Sequence, residues 1–301
     1  MKNDYLRRMA PWLLASLLAW AGPLFAQTPA SPALAASEAP LPAADTLEYP
    51  SGTLKLRGLL WRPPGRGPFP AIVLNHGSEL TGVNLFKTVP VLLAHGYAVF
   101  APSRRGQYLS QGRGRYIGAV LDSAKTVSSP DDYARLVIHL HETEQLPDQM
   151  AGIAALKQQP GIDAGHIGVM GVSFGGIQAL LAATEPVGLR AAVNFASAAM
   201  VWEGSPLIAQ WLKQCVTQAR VPVYLAQAAN DFSTQPTKVL GAEMKRVGKP
   251  YQAKIYPTVG TTAMDGHRLV THPDLWATDV FAFLDMYLLK PAPTSKIRHR
   301  P

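Results

Sequence analysis

The sequence contains a single cysteine, Cys215, among 301 residues. One thiol cannot form an intramolecular disulfide, and it cannot supply the cysteine pairs of a structural zinc site. The fold must therefore be stabilised by its hydrophobic core. Because Cys215 falls in a stretch of helical spacing at residues 208–219, we interpret it as a small buried side chain rather than a nucleophile.

Charged residues are also scarce, at 16% of the chain, whereas 48% of the residues are hydrophobic. A chain of this length and composition can bury one substantial core, so we expect one large folded domain. The formal net charge is +8, and several of the basic residues lie in a tail at residues 291–301. These residues are not interleaved with aromatic residues, so we predict a solvated tail and no nucleic-acid partner.

The sequence lacks a dinucleotide-binding fingerprint, and its histidines do not have the spacing of metal ligands. We therefore expect no cofactor and no metal ion. What remains is chemistry that amino-acid side chains perform by themselves.

The first 26 residues have the pattern of a signal peptide. A basic start precedes an uncharged apolar stretch at residues 9–22, and Pro23 and Ala26 suit cleavage before Gln27. An uncleaved membrane anchor is the alternative, because residues 9–26 approach the length that spans a bilayer. Either prediction places the folded domain outside the cytoplasm, in the periplasm or the extracellular space. After cleavage we expect no integral membrane segment.

Residues 27–45 consist mostly of Ala, Pro, Ser and Thr, which predicts a flexible spacer. The folded domain is predicted at residues 46–290, and it begins with an antiparallel hairpin formed by residues 47–49 and 53–61. Short apolar runs then alternate with stretches of helical spacing. The runs are residues 71–74, 97–101, 166–170, 190–195, 221–226 and 251–256. The helical stretches are residues 84–95, 131–158, 176–184, 206–219, 237–247 and 273–289.

This alternation predicts an α/β fold with a mainly parallel sheet of about eight strands and helices on both faces. Residues 107–129 lack a clean period, so we expect an irregular excursion over one end of the sheet. Pro147 interrupts the longest helical stretch, which predicts two helices or a kinked one. We interpret His139 and His141, in the same stretch, as surface or core residues.

Residues 171–175 read Gly-Val-Ser-Phe-Gly, directly after a predicted strand and before a predicted helix. This is the setting that a Gly-x-Ser-x-Gly nucleophile elbow requires, so Ser173 is the predicted nucleophile. We expect the turn to hold Ser173 in a strained backbone conformation, with the flanking glycines preventing clashes. The alternative is a glycine-rich turn with an incidental serine.

A serine hydroxyl needs an imidazole to take its proton and a carboxylate to orient that imidazole. Asp231 follows the apolar run that ends at residue 226, and His267 follows the run that ends at residue 256. Both positions suit the expected order of acid and then base. His272 is the alternative base. Asp265 is the alternative acid, although it lies too close to His267 in sequence to come from the preceding strand end.

Two backbone N–H groups are predicted to stabilise the negative charge of the transition state. One belongs to Phe174, which follows the nucleophile, and the other belongs to Ser78 in the loop after the third strand, with Gly77 as the alternative. His76, at the end of the same strand, more simply shapes this loop than acts as a base.

Two arginines, Arg104 and Arg105, follow the predicted fourth strand near the expected substrate site. One of them could bind a substrate carboxylate. The alternative, which we favour, is that the arginine before Gly106 braces the loop by donating hydrogen bonds to backbone carbonyls.

Together these motifs resemble the dienelactone hydrolase-like branch of the α/β-hydrolase superfamily, and they also resemble the catalytic domain of prolyl-oligopeptidase-type enzymes. The resemblance covers about residues 46–289 and rests on residues 75–78, 102–106 and 171–176, on Asn230-Asp231, and on Gly266-His267 followed by residues 276–284. It implies an α/β-hydrolase fold and a cofactor-free serine hydrolase, and the leader pattern of residues 1–26 adds the expectation that the enzyme is secreted. Such an enzyme would cleave a small-molecule carboxylic ester through an acyl-enzyme.

Two departures from these families bear on the activity. Dienelactone hydrolases proper use a cysteine nucleophile where this chain has Ser173, which favours ester hydrolysis over that activity. Peptidase relatives carry a large additional N-terminal domain, whereas this sequence has a spacer and a hairpin there. A peptidase or amidase and a catalytically silent scaffold used for binding remain alternatives. Retention of all three triad candidates weighs against the silent scaffold.

Overall fold

The hairpin predicted at the start of the folded domain is present in the computed structural model, which describes residues 40–289. β1 (Asp45–Ser51) pairs antiparallel with β2 (Leu54–Trp61), and β2 pairs antiparallel with β4 (Ala98–Ser103). The predicted signal peptide, most of the predicted spacer and the predicted basic tail lie outside the described residues.

The remaining strands are parallel to β4. They are β3 (Phe69–Asn75), β5 (Ile162–Val172), β6 (Ala191–Phe195), β7 (Val223–Ala228) and β8 (Tyr251–Tyr256). Within the described range, eight strands form one sheet in the order β1-β2-β4-β3-β5-β6-β7-β8. This confirms the predicted mainly parallel α/β-hydrolase sheet. Because parallel strands end at the same edge, the loops after β3 to β8 meet along one side of the sheet.

Neighbouring residues of each strand face opposite sides of the sheet and build two separate cores. In β3, Val73 belongs to one core, whereas Ile72 and Leu74 belong to the other, and all three are fully buried. Burial on both faces explains why the strands are near-continuous apolar runs in the sequence.

Helices cover both faces, as predicted. One core includes residues of α2 (Ile117–Lys125), α3 (Pro130–Leu140), α4 (Leu146–Lys157), α5 (Phe174–Ala182), α6 (Pro206–Gln218) and α7 (Gln235–Arg246). The other includes residues of α1 (Val89–Ala94) and α9 (Pro273–Leu288). A short helix, α8 (Ala263–His267), follows β8. None of the helices in the described part of the chain is both long and apolar enough to cross a bilayer.

One local prediction needs correction. Residues 107–129 are not wholly irregular, because they contain a 3₁₀ turn (Tyr108–Ser110) and helix α2. The long helical stretch is divided into two helices, as Pro147 predicted, and α3 passes into α4 through a π-helical turn (His141–Gln145). Pro147 then lies in the first turn of α4, where the wider π turn accommodates a residue without an N–H group.

Candidate active site

Ser173 lies at the sharp turn between β5 and α5. Its backbone has φ 56° and ψ −116°, a positive φ that is uncommon for a residue other than glycine. The turn is fixed by a hydrogen bond from the N–H of Ser173 to the carbonyl oxygen of Phe195, at 2.8 Å. The strain predicted from the motif is therefore present, and such strain is commonly found at functional sites.

The glycines on either side of Ser173 are required by close backbone approach. A Cβ on Gly175 would overlap the carbonyl oxygens of Asn75 and His76, which lie at the end of β3. A Cβ on Gly171 would overlap the carbonyl oxygen of Gly175. The nucleophile turn and the loop after β3 are therefore in direct backbone contact.

The loop after β3 is held from inside the protein by Arg104, which is only 4% exposed. The guanidinium donates to the carbonyl oxygen of His76 at 2.7 Å and to that of Gly77, and its Nε donates to Oε1 of Gln107 at 2.9 Å. Burial lowers the pKa of Arg104 to about 10, so the group remains protonated at neutral pH. The bracing arginine is thus Arg104 and not Arg105, the residue directly before Gly106.

The hydrogen bond to Gly77 also sets the direction of the next N–H group. The carbonyl of Gly77 and the N–H of Ser78 belong to one trans peptide, so they point in opposite directions. Arg104 holds the carbonyl on the buried side, and Ser78 lines the open cavity on the other. The N–H of Ser78 is therefore directed away from Arg104.

Phe174, whose N–H follows the nucleophile, is packed between two polar side chains. The guanidinium carbon of Arg104 lies 5.6 Å from the centre of its ring, and the imidazole of His141 lies 4.1 Å from it, centre to centre. Arg104 therefore contacts the parts of the chain that carry both predicted oxyanion donors. The sequence had indicated a bracing arginine after the fourth strand, but it did not indicate which arginine or that it would contact both segments, because backbone carbonyls are present at every position.

The structure brings Asp231 and His267 together at the ends of β7 and α8. Nδ1 of His267 donates to Oδ1 of Asp231 at 2.9 Å, and the backbone N–H of Phe232 donates to the same oxygen at 2.8 Å. Both residues are buried, at 8% exposure for Asp231 and 7% for His267. This bond fixes the proton on Nδ1 and leaves Nε2 free to accept one.

A further residue, Gln227, orients Asp231, and the sequence did not predict this role. Nε2 of Gln227 donates to Oδ2 of Asp231 at 3.0 Å, and its Oε1 accepts from the N–H of Thr237 at 3.0 Å. Gln227 is 1% exposed and lies within the strand run that precedes the acid. A glutamine inside an otherwise apolar strand is unusual, and this could have indicated that Gln227 belongs to the site.

Ser173 and His267 line the same cavity, which has a volume of about 350 Å³ and also includes Gly77, Ser78 and Arg268. Within the described part of the chain, Nε2 of His267 has no hydrogen-bond partner. The serine and the histidine thus share the cavity without a direct hydrogen bond. Such bonds are often long in unliganded enzymes and form when substrate is bound.

The alternative acid and base occupy other positions. Asp265 caps α8, where its Oδ2 accepts from the N–H of Thr262 at 2.9 Å and the side chain of Thr262 accepts from Asp265 N–H at 3.1 Å. The hydrogen bond from the Thr262 hydroxyl is the largest cause of the lowered pKa of this carboxyl. His272 is exposed at the start of α9 and does not line the cavity.

His76, the third candidate imidazole, is 3% exposed and lies against Arg104. Burial, followed by the charge of Arg104, holds its pKa well below the usual value, so it is neutral at pH 7. It does not line the cavity.

The remaining residues that the sequence singled out lie outside the cavity. Arg105 forms an ion pair with Asp148 at 2.7 Å. Cys215 is buried in α6, and burial raises the pKa of its thiol to about 12, so it is not a thiolate at neutral pH. Among the residues that the structure describes, no group of three His, Cys, Asp or Glu side chains could hold a metal ion.

Comparison with known families gives one match that covers more than half of the chain. The model of the dienelactone hydrolase family matches residues 56–263. No curated protein is significantly similar to the chain in sequence.

Solved structures show the same fold at low sequence identity. Acylaminoacyl peptidase from Pyrococcus horikoshii superposes with a TM-score of 0.60 at 15% identity, covering 86% of this chain and 44% of the peptidase. Dipeptidyl peptidase 4 from Porphyromonas gingivalis gives 0.57 at 17%, covering 83% and 36%. A dienelactone hydrolase-like promiscuous phosphotriesterase from metagenomic libraries gives 0.56 at 17%, covering 81% and 96%. The chain thus spans less than half the length of these peptidases, and at such identities the similarity establishes the fold alone.

Proposed function

Because the chain belongs to the dienelactone hydrolase family, we propose that it is a serine hydrolase that cleaves carboxylic esters through an acyl-enzyme on Ser173. The observation that carries this proposal is one cavity lined by Ser173 and by His267, whose imidazole is hydrogen-bonded to a buried aspartate. A nucleophile, a base and a group that orients the base are the parts that acyl transfer requires.

In the proposed first step, Nε2 of His267 accepts the proton of the Ser173 hydroxyl while the oxygen attacks the ester carbonyl carbon. Asp231 keeps the other ring nitrogen protonated and stabilises the imidazolium that forms. The carbonyl oxygen becomes an oxyanion. The N–H groups of Phe174 and Ser78 are the donors proposed to bind it, each worth about 10² to 10³ in rate.

The proposed intermediate collapses when the bond to the alkoxide breaks and His267 returns its proton to that oxygen. A water molecule then enters, gives a proton to His267 and attacks the acyl carbon. The bond to the Ser173 oxygen breaks as His267 returns that proton to it, which releases the carboxylic acid and restores Ser173. The chemistry needs no group beyond the side chains and backbone of this chain and water.

A peptidase or amidase is the alternative within the same mechanism. An amide's amine must be protonated as it leaves, which demands a well-placed acid and an extended binding cleft. We therefore expect kcat/KM for p-nitrophenyl acetate, butyrate or octanoate to exceed that for aminoacyl and prolyl p-nitroanilides, with or without a chelator. A higher kcat/KM on any anilide than on every ester would overturn the ester assignment.

The nucleophile itself is tested by covalent labelling. The purified protein should react with a fluorophosphonate, and peptide mapping should place the adduct on Ser173. Ser173→Ala should not react, whereas Ser197→Ala, which removes another buried serine, should react at the normal rate. Labelling that persists in Ser173→Ala would reject Ser173 as the nucleophile. A well-folded wild-type protein that does not react would favour the silent scaffold.

We also propose that the enzyme is exported, on the evidence of residues 1–26. Expression of the full chain in a bacterium with an outer membrane should give a product in the periplasm or the medium that begins near Gln27, as determined by N-terminal sequencing. A cytoplasmic product that retains residue 1 would contradict export.

A further inference from the structure

Large apolar side chains remain exposed around the candidate active site. Five of those exposed in the described part of the chain lie in the segments that follow four different parallel strands: Leu80 after β3, Met200 and Val201 after β6, Phe232 after β7, and Met264 in helix α8 after β8. The carboxyl ends of these strands meet at one edge of the sheet. Five side chains that are distant in sequence are therefore gathered on the side of the molecule where Ser173 lies.

Three of these side chains are tied directly to the site. Met200 is 55% exposed and Met264 is 37% exposed, and both line the cavity that holds Ser173 and His267. The ring of Phe232 lies edge-on to the His267 imidazole, with 5.6 Å between ring centres. The apolar surface thus begins at the proposed reacting bond and extends outward from it.

Charge at the cavity does not favour an ionic substrate. Of the two arginines that the sequence placed near the substrate, Arg104 is bonded to backbone carbonyls and Arg105 to Asp148, and neither lines the cavity. The charged residues that do line it are Glu79 and Arg268, which are exposed and of opposite sign.

We propose that the surface formed by these apolar side chains binds an uncharged apolar chain of the ester substrate, with Met200 and Met264 making the contacts nearest the reacting bond. The inference rests on the proposed ester hydrolysis and adds the substrate class. Burying apolar surface is favourable, by about a fourfold gain in binding per methylene group. Methionine side chains are flexible and polarisable, so a pair of them suits chains of differing length.

The first experiment measures kcat/KM for two series of esters. p-Nitrophenyl acetate, butyrate and octanoate vary the acyl chain, and ethyl, butyl and hexyl acetates, followed by pH-stat, vary the alcohol. We expect kcat/KM to rise with length in at least one series, and that series identifies the side of the ester that occupies the surface. Equal or falling values in both series would overturn the proposal.

The second experiment assigns the effect to the two methionines. The double variant Met200→Asn/Met264→Asn should lower the ratio of kcat/KM for the longest to the shortest ester by about tenfold, and this ratio is the readout whatever the change in kcat/KM for the shortest ester alone. Met286→Asn is the matched control, because Met286 is 45% exposed on α9 and does not line the cavity. A ratio that is unchanged in the double variant, or lowered equally in the control, would reject the assignment.

Two further measurements separate this inference from the proposed function. The p-nitrophenyl monoester of succinate should react more slowly than the butyrate, and faster reaction would show that an anionic chain is preferred and overturn the proposal. Labelling of Ser173 by octyl and ethyl fluorophosphonates needs no turnover. If no ester is cleaved but the octyl reagent reacts faster, the apolar surface stands and ester hydrolysis fails. Equal labelling rates with normal ester cleavage would reject the apolar surface alone.

Discussion

The two halves of the candidate site are fixed in different ways. On the oxyanion side, the loop after β3 and the turn at Ser173 are held by backbone contacts, a strained residue and a buried cation that binds carbonyl oxygens. On the acid-base side, Asp231 and His267 are held by side-chain hydrogen bonds in a relay that starts at Gln227. Substitutions on the acid-base side should therefore change the chemistry with little effect on the fold. Substitutions on the oxyanion side should change stability and chemistry together.

The largest expected effect on kcat belongs to Ser173, the residue on which both halves of the site act. Ser173→Ala should reduce kcat by about 10⁶, the loss seen when a triad acts as a unit. Because alanine keeps a Cβ at the strained position, the thermal midpoint should stay close to that of the wild type. Turnover of p-nitrophenyl butyrate, measured with circular dichroism as the folding control, tests both expectations. Residual activity above 10⁻² of the wild type in a carefully cleaned preparation would contradict the shared role.

The acid-base half is tested by paired substitutions of neighbouring candidates. Asp231→Asn should reduce kcat by about 10⁴, because an amide no longer fixes the imidazole tautomer. Asp265→Asn should leave kcat nearly unchanged and lower the thermal midpoint slightly, because it weakens the cap of α8. His267→Ala and His272→Ala form the corresponding pair for the base. If Asp265→Asn or His272→Ala is the crippling change, the acid or the base is misassigned.

The oxyanion half is tested by two adjacent arginines. Arg104→Lys should reduce kcat by about 10² with little change in KM, because a single ammonium nitrogen cannot reproduce the planar fork that binds both carbonyls and Gln107, and the Ser78 N–H loses its direction. Arg105→Lys should lower stability through its ion pair with Asp148 and leave kcat unchanged.

A boronic acid inhibitor supplies a readout that a general loss of structure would not move. Its affinity should fall in parallel with kcat/KM in Arg104→Lys, while the stoichiometry of fluorophosphonate labelling identifies any unfolded fraction. Equal losses of activity in the two arginine variants would mean that Arg104 supports the fold and not the oxyanion donors.

The smallest effect concerns His141, which lies behind Phe174 and is fully buried. Burial, followed by the charge of Arg104, lowers its pKa to about 3, and Nε2 of Gln178 donates to its Nδ1 at 2.6 Å. Between pH 6.5 and about 3 the unfolded chain binds a proton here that the folded chain does not. His141 therefore destabilises the fold progressively as pH falls through this window, by at most about 1.4 kcal/mol per unit.

His141→Gln should accordingly flatten the dependence of the urea midpoint on pH between pH 4 and 6.5. His139→Gln is the matched control, because His139 is exposed two residues earlier. The same slope in wild type, His141→Gln and His139→Gln would mean that other groups, such as His76, account for the pH dependence.

The sequence allowed much of this fold to be predicted because strands β3 to β7 are mostly buried on both faces. Each predicted run from residue 71 to residue 256 overlaps one of the strands β3 to β8. Helix α2 was missed, since only Ile117 and Leu121 are buried in it and two residues give a weak period. The π turn before Pro147 was missed as well, because one i→i+5 turn of five residues is too short to show in the apolar period of the whole stretch.

At the site, the residues with a distinctive chemical role were easier to identify than those that hold them in place. Ser173, Asp231 and His267 follow strand ends in a recognisable order, and the structure gathers them at one edge of the sheet. Arg104 was placed near the site, but its partners are carbonyl oxygens 27 and 28 positions away. Every residue has a backbone carbonyl, so the sequence does not show which carbonyls bind an arginine. The choice between Arg104 and Arg105 therefore required the fold.

The close approach at Gly175 has a consequence for how the site moves. Since a single methyl group would already overlap the carbonyls of Asn75 and His76, the turn at Ser173 and the loop after β3 have no gap across which one could shift alone. They should open as one cooperative unit, so the amide protons of residues 75–78 and 173–177 should share one free energy of opening, as measured by exchange with solvent deuterium. Adaptation to a bulkier substrate would then be left to the methionine side of the cavity.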